Sequence, residues 1–225
     1  MASKGNKRHI KRIAASGYAG VSRKKEPYLI KPNAGRYRLS RSIALLVVLR
    51  EKLGIASTGK EARKIIRLGH VEVNGKVIKD ERYPLGLNDV LHIKQTGESY
   101  VIHANRNGVV TLEALKDSGK RILKVIDKYT AKGNKPMIRL YDGSAAANSE
   151  AKPNDSVVLK EGKIEKVLHL QPGAKCLVTE GTHTSQIGTL TELRKGSATT
   201  NATVMIDSNG EVFETLLENI MVVGE

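Results

Sequence analysis

The sequence has no tryptophan, one phenylalanine and one cysteine. Aromatic residues make up 4% of its 225 positions, so any core must be built from Val, Ile, Leu and Ala. That supply suits several small modules better than one large enzyme core. The lone Cys176 excludes a disulfide framework and a cysteine-rich zinc site. The six histidines show neither an H-E-x-x-H pattern nor an i, i+4 pair, so no metal site is expected. No apolar run approaches the roughly 20 residues of a membrane-spanning helix, and no apolar segment follows the basic N-terminus as it would in a secretory signal. A soluble, intracellular chain is expected. No Ser, Cys or carboxylate pair stands in a nucleophile or acid–base setting, so neither catalytic residues nor a cofactor are expected.

What the sequence has in excess is positive charge, 38 Lys and Arg against 23 Asp and Glu, a net +15. Residues 1–41 hold 12 basic side chains and one acid, Glu26. Residues 42–95 hold 10 basic and 6 acidic side chains, and residues 96–225 hold 16 of each. A gradient this steep points to a polyanion docked at the N-terminal end.

Four segments follow one another. Residues 1–40 have no sustained period and too few apolar residues to fold alone. They are expected to form an extended basic arm that is mobile until it orders on its partner. Residues 41–97 open with IALLVVLREKL, apolar on nearly every face. This reads as a core helix capped by Ser40 or Ser42 and ended by Gly54. Thr58 and Glu61 form a capping box for a second helix. At 100° per residue Lys60, Arg63, Lys64 and Arg67 share one narrow arc of it, with Ala62, Ile65 and Ile66 opposite. The stretch VEV-NG-KVI then predicts a hairpin with a primed turn. Residues 98–171 read as strands throughout, with turns at Asn107-Gly108, Asp142-Gly143 and Glu161-Gly162, which suggests a small barrel or sandwich. Residues 172–225 begin at Pro172-Gly173 and hold four or five short strands, with a last turn at Asn209-Gly210; a second small barrel is expected. The fold class is α+β and multi-domain.

Several motifs fall short. GIASTGKE nearly spells a phosphate-binding loop, but Glu61 replaces the hydroxyl that would hold magnesium and a helix precedes the loop where a strand is required. Asn201-Ala-Thr203 matches a glycosylation sequon without a signal peptide to give access to it. His183 lies in the loop TEGTHTSQIG and reads as a surface histidine. The basic helix face is the strongest local signal. Glu61 is the only acid on that helix, so four like charges would repel one another without an external anion. A phosphate backbone supplies one, and with no paired aromatics along a strand, docking on structured RNA is favoured over reading of unstacked bases.

The segment TGKEARKIIRLGHVEVNGKVI resembles the small RNA-binding module named after bacterial ribosomal protein S-four. Across the chain KRHIKRIAA, ERYPLGLNDV, NDSV, EGKI, GAKCLVTEG, QIGTLTEL and FETLLENIMVVG follow in the order of the archaeal and eukaryotic small-subunit ribosomal protein family S-four-E. The short chain points to the archaeal branch. The resemblance implies a structural constituent of the small subunit, cytoplasmic and ribosome-bound. Its partners would be small-subunit ribosomal RNA and neighbouring small-subunit ribosomal proteins, with no membrane. It implies a C-terminal KOW-type, SH3-like barrel with Gly188 at the glycine of its turn loop. Thr182, Thr184 and Ser185 stand there where basic residues and glycine are usual. The expected RNA contacts are Lys7, Arg8, Lys11, Arg12, Arg23, Lys24, Lys25, Arg36 and Arg38 in the arm, and Lys60, Arg63, Lys64, Arg67 and Lys76 in the module. An alternative is an RNA-modifying enzyme of the pseudouridine-synthase kind, which carries the same module; residues 98–225 leave no obvious room for its catalytic domain.

Overall fold

Asn74 and Gly75 both take positive φ, 53° and 77°, the pair of angles that a primed two-residue turn requires. Strand Val71–Val73 thereby folds back on Lys76–Val77. The computed structural model describes residues 7–115, 120–160, 162–194, 196–197, 200–208 and 210–224. Met1–Asn6 of the arm, Glu161 of one predicted turn and Asn209 of another lie outside these. Strands predominate and helices are few, consistent with the α+β class. The chain divides into two compact units, Met1–His103 with Val109–Ser118, and Ala104–Gly108 with Gly119–Glu225.

In the first unit the hairpin is one edge of a five-stranded sheet that continues through Val90–Ile93, Glu98–Ala104 and Val110–Leu115. Val71 faces Ile93, and Val90 faces Val101. The last two strands were expected in the central β domain. The boundary at residues 97 and 98 is therefore corrected: the strand pattern was right, but alternation does not say which sheet a strand joins.

The helical core also starts later than expected. Ile43–Ala44 is extended and pairs with Pro84–Leu85, so neither Ser40 nor Ser42 caps a helix. The helical segment is Leu45–Val47 followed directly by a π-type stretch, Val48–Lys52. Its first free amides are satisfied by backbone, with Leu45 N donating to Tyr83 O at 3.0 Å and Leu46 N to Glu81 O at 3.1 Å. Leu45, Leu46, Val47, Val48 and Leu49 are all buried, as the apolar run required.

The N-terminal arm is not a free extension. His9–Lys11 pairs with Tyr28–Ile30, and Ala15, Tyr18, Ala19, Leu29, Ile30 and Tyr37 are buried. The Tyr37 ring lies against Gly86, where a Cβ would come within 2.7 Å of ring carbons, so only glycine fits. The apolar residues of the arm are few, but they act by joining a core supplied by residues 41–115, which counting within the segment could not show.

The second unit carries two five-stranded sheets. In one, Lys120–Ala131 pairs with Ser156–Lys160 along its first half and with Lys135–Leu140 along its second, with a bulge between Val125 and Asp127. Ala145–Ala147 and Lys163–Leu168 complete it. Leu123, Val125, Ile138, Leu140, Ala151, Val157 and Leu159 fill its core. In the other sheet the order is Glu211–Leu216, Thr203–Ser208, Ile187–Arg194, Lys175–Val178 and Ile220–Gly224. Its core of Cys176, Val178, Leu190, Val204, Ile206, Phe213, Ile220 and Val222 also takes in Leu168, with Ile122, Val158 and Leu170 against it. Strands on both sides of the expected boundary at 171 and 172 thus share one core.

Candidate nucleic-acid interface

The helix Gly59–Arg67 is set by its first turn. Thr58 Oγ1 accepts from Glu61 N at 3.2 Å, and the Glu61 carboxylate accepts from Thr58 N at 3.3 Å and from Ser57 N and Ser57 Oγ at 2.9 Å each. The Ser57 hydroxyl, then the two amides, hold the Glu61 carboxyl below the usual carboxylate range. This acid is turned back onto the loop, as a cap and not as a neutraliser of the helix's cations. It also occupies the loop amides that a phosphate would have needed.

Ala62 and Ile66 face the core and are fully buried, whereas Ile65 is only half-buried, a partial correction to the predicted apolar face. Lys60, Lys64 and Arg67 are exposed and find no ion-pair partner among the described residues. Arg63 is half-buried and pairs with Glu81, Nε to Oε2 at 2.5 Å. Lys76 is exposed on the hairpin. A residue not expected here joins them: Lys79 Cε lies 3.7 Å from where a Gly69 side chain would begin, over the end of the basic helix. Its place three residues beyond Lys76, leaving the hairpin, was the available signal.

In the arm, Lys7, Arg8, Lys11, Arg23, Lys24, Lys25 and Arg38 are exposed. Arg12 is not; at 1% exposure it is a buried residue and is withdrawn as an RNA contact. Its guanidinium bonds both Glu51 oxygens, reaches Ser22 O at 2.8 Å and lies 3.3 Å from Glu26. Arg50 closes the cluster, 2.6 Å from Glu51 and 3.1 Å from Glu26. Burial pushes the Glu51 carboxyl up, but hydrogen bonds from Arg12 and Arg50 and their charges outweigh it and leave the group below its ordinary range. Arg36 is half-buried too. It donates to Tyr83 Oη at 2.7 Å, lies over the rings of Tyr37 and Tyr83, and stands 3.7 Å from Asp89. Asp89 is fully buried and also accepts from Asn74 Nδ2 at 2.6 Å and Gly86 N at 3.0 Å. Burial raises its pKa against the pull of Arg36 and these donors. Arg12 and Arg36 tie the arm to the module.

In the second unit the loop of His183 is internally bonded. The His183 ring stacks on Phe213, centroids 4.0 Å apart, and Thr184, buried, donates to Gly181 O at 2.6 Å. Gly188 lies within strand Ile187–Arg194, not in a turn; a Cβ there would meet Asp207 O at 2.5 Å. Among the described residues no group of His, Cys, Asp or Glu gathers that could hold a metal ion, and no helix is long and apolar enough to cross a membrane.

The capped basic helix and the primed hairpin behind it both lie within residues 45–91, which match the S4 domain family. The chain is 32% identical to the small ribosomal subunit protein eS4 of Methanococcus aeolicus, covering 100% of this chain and 97% of that relative. It is 33% identical to the protein of the same name from Methanocella arvoryzae, over 96% and 94% of the two. The crystal structure of the 30S ribosomal protein S4e from Thermoplasma acidophilum superposes with a TM-score of 0.70 at 27% identity, covering 82% of this chain and 96% of that one. The chain belongs to the small ribosomal subunit protein eS4 family.

Proposed function

We propose that the chain is a structural constituent of the small ribosomal subunit that holds ribosomal RNA with its N-terminal unit. The observation that carries this is the row of exposed cations Lys60, Lys64 and Arg67, unpaired among the described residues, on a helix inside the matched S4 domain. Lys76 and Lys79 extend the row, and the exposed arm residues Lys7, Arg8, Lys11, Arg23, Lys24, Lys25 and Arg38 add to its charge. Charge on a rigid helix and hairpin suits phosphate and shape contacts to folded RNA. Arg36 and Arg63 act mainly in holding the surface in shape. The C-terminal five-stranded sheet is assigned as the KOW-type barrel; its loop TEGTHTSQIG carries no Lys or Arg, which favours a protein neighbour or solvent over RNA there. The setting is cytoplasmic and ribosome-bound, with neighbouring small-subunit proteins as further partners. Sucrose-gradient fractionation of cells expressing the tagged chain tests this: it should sediment with small subunits, and recovery only in the free-protein fraction would contradict it.

A further inference from the structure

The charge of residues 96–225 averages to zero, but it is unevenly spread. Between residues 120 and 139 stand seven basic side chains and one acid, Asp127. The strands Lys120–Ala131 and Lys135–Leu140 form a ribbon that reverses through Lys132, Gly133 and Asn134, the last two at φ 84° and 56°. Cross-strand partners share a face. One face carries Lys128 opposite Ile138, which is fully buried; Lys128 Nζ accordingly lies along the body and donates to Ser149 O at 2.6 Å. The other face carries the pairs Asp127 and Arg139, Tyr129 and Met137, and Ala131 and Lys135.

On that outer face Tyr129 is 42% exposed. Its diagonal neighbours across the ribbon are Lys135 on one side and Arg139 on the other, within reach of an aromatic side chain at such positions. Arg139 is held in place by Asp127 at 2.9 Å. Lys132 and Lys135 are exposed and have no partner among the described residues. The next strand, Ala145–Ala147, places Ala147 beside Met137 and Ala145 beside Arg139, so beyond Met137 that face carries only methyl groups. An open ring bracketed by cations, on a low ledge, meets both needs of a nucleotide: a surface for stacking and charge for the phosphates on either side.

We propose that this ribbon face is a second RNA contact, in which Tyr129 stacks on an unpaired loop base and Lys132 and Lys135 hold the adjacent phosphates. It rests on the ribosomal RNA-binding function proposed above and gives the second unit a part in it. The ligand is RNA and not an acidic protein segment, because carboxylates would satisfy the lysines but leave the ring without a flat partner.

The test is salt-titrated binding of the full chain to an archaeal small-subunit ribosomal RNA transcript, with thermal melts confirming that each variant folds. Tyr129→Ala should weaken binding about tenfold, in the range of one lost base stack, and Tyr129→Phe should bind like the parent. Lys132→Gln with Lys135→Gln should lower the slope of log affinity against log salt by about 1.5, the share of two phosphates. If the ribbon variants match the parent in affinity and slope while Gln at Lys60, Lys64 and Arg67 weakens binding, the ribbon proposal falls and the first RNA surface stands. If neither set has an effect, both fall. Ribbon variants that bind the transcript normally but fail to enter small subunits would show a protein-docking face and overturn the proposal.

Discussion

Glu51→Gln should release the N-terminal arm. Arg12 is 1% exposed and the Glu51 side chain 12%, so the pair is largely out of water. Removing one partner of a buried ion pair costs about 3–5 kcal/mol, because the other charge is left without compensation. Here Glu26 at 3.3 Å and Ser22 O at 2.8 Å remain to Arg12, and Glu26 is half-exposed, so the lower end of that range applies, about 3 kcal/mol. A loss of that size is a large share of the 5–15 kcal/mol that holds a domain together. The arm has few apolar contacts of its own, so it should detach before the sheet unfolds. Limited trypsin digestion provides the assay: the parent should resist cleavage at Lys11 and Arg12, in and next to the paired strand His9–Lys11, and the variant should be nicked there quickly. Replacing both charges, Arg12→Met with Glu51→Leu, should restore most of the resistance at Lys11, the site this variant keeps, since packed apolar side chains can substitute for a buried pair. Equal rates of cleavage in the parent and Glu51→Gln would refute the anchoring role.

Ile66→Ala should destabilise the first unit by about 2–5 kcal/mol in thermal or denaturant unfolding, and Ile65→Ala by distinctly less, because Ile66 is fully buried and Ile65 only half. Lys124 should make stability pH-dependent. It is buried and donates to Leu217 O at 2.8 Å and Glu218 O at 3.0 Å, and burial pulls its pKa down to about 8 against the opposing charges of Glu218 and Glu180. Above pH 8 the unfolded chain holds a proton that the folded chain has lost, so stability rises with pH, by at most about 1.4 kcal/mol per unit. Cys176, pushed up to about 11 mainly by burial, acts in the opposite direction only above its ordinary value of 9.0. The melting temperature should therefore climb from pH 8 to 9 in the parent and lose that climb in Lys124→Met; an identical climb in both would contradict it.

The local features were legible because their signals are local. The capping box, the Asn-Gly turn and the basic arc each occupy fewer than ten residues, and the structure has all three. What was not legible depends on partners distant in sequence. Arg12 looked like its neighbours Lys11 and Arg8 until Glu51, 39 residues away, was brought beside it. The strands Glu98–Ala104 and Val110–Leu115 were recognisable as strands, but their sheet was not, because period-two alternation carries no record of the neighbour. Averaging charge over residues 96–225 hid the ribbon around Tyr129, whose cations are balanced by acids elsewhere in that half.

In the proposed function, cations on one face of the helix Gly59–Arg67 hold ribosomal RNA while the opposite face holds the fold. Substituting Gln at Lys60, Arg63, Lys64 and Arg67 together separates the two roles, with binding to a small-subunit ribosomal RNA transcript measured across a range of salt. Gln nearly matches Lys and Arg in helix propensity, and the one ion pair lost, Arg63 with Glu81, is partly exposed and contributes no more than about 1 kcal/mol. The melting temperature should therefore stay close to the parent's, while the slope of log affinity against log salt falls by about 2–3. Unchanged affinity and slope in a folded variant would contradict the claim, leaving this helix a solvated surface and the RNA held elsewhere.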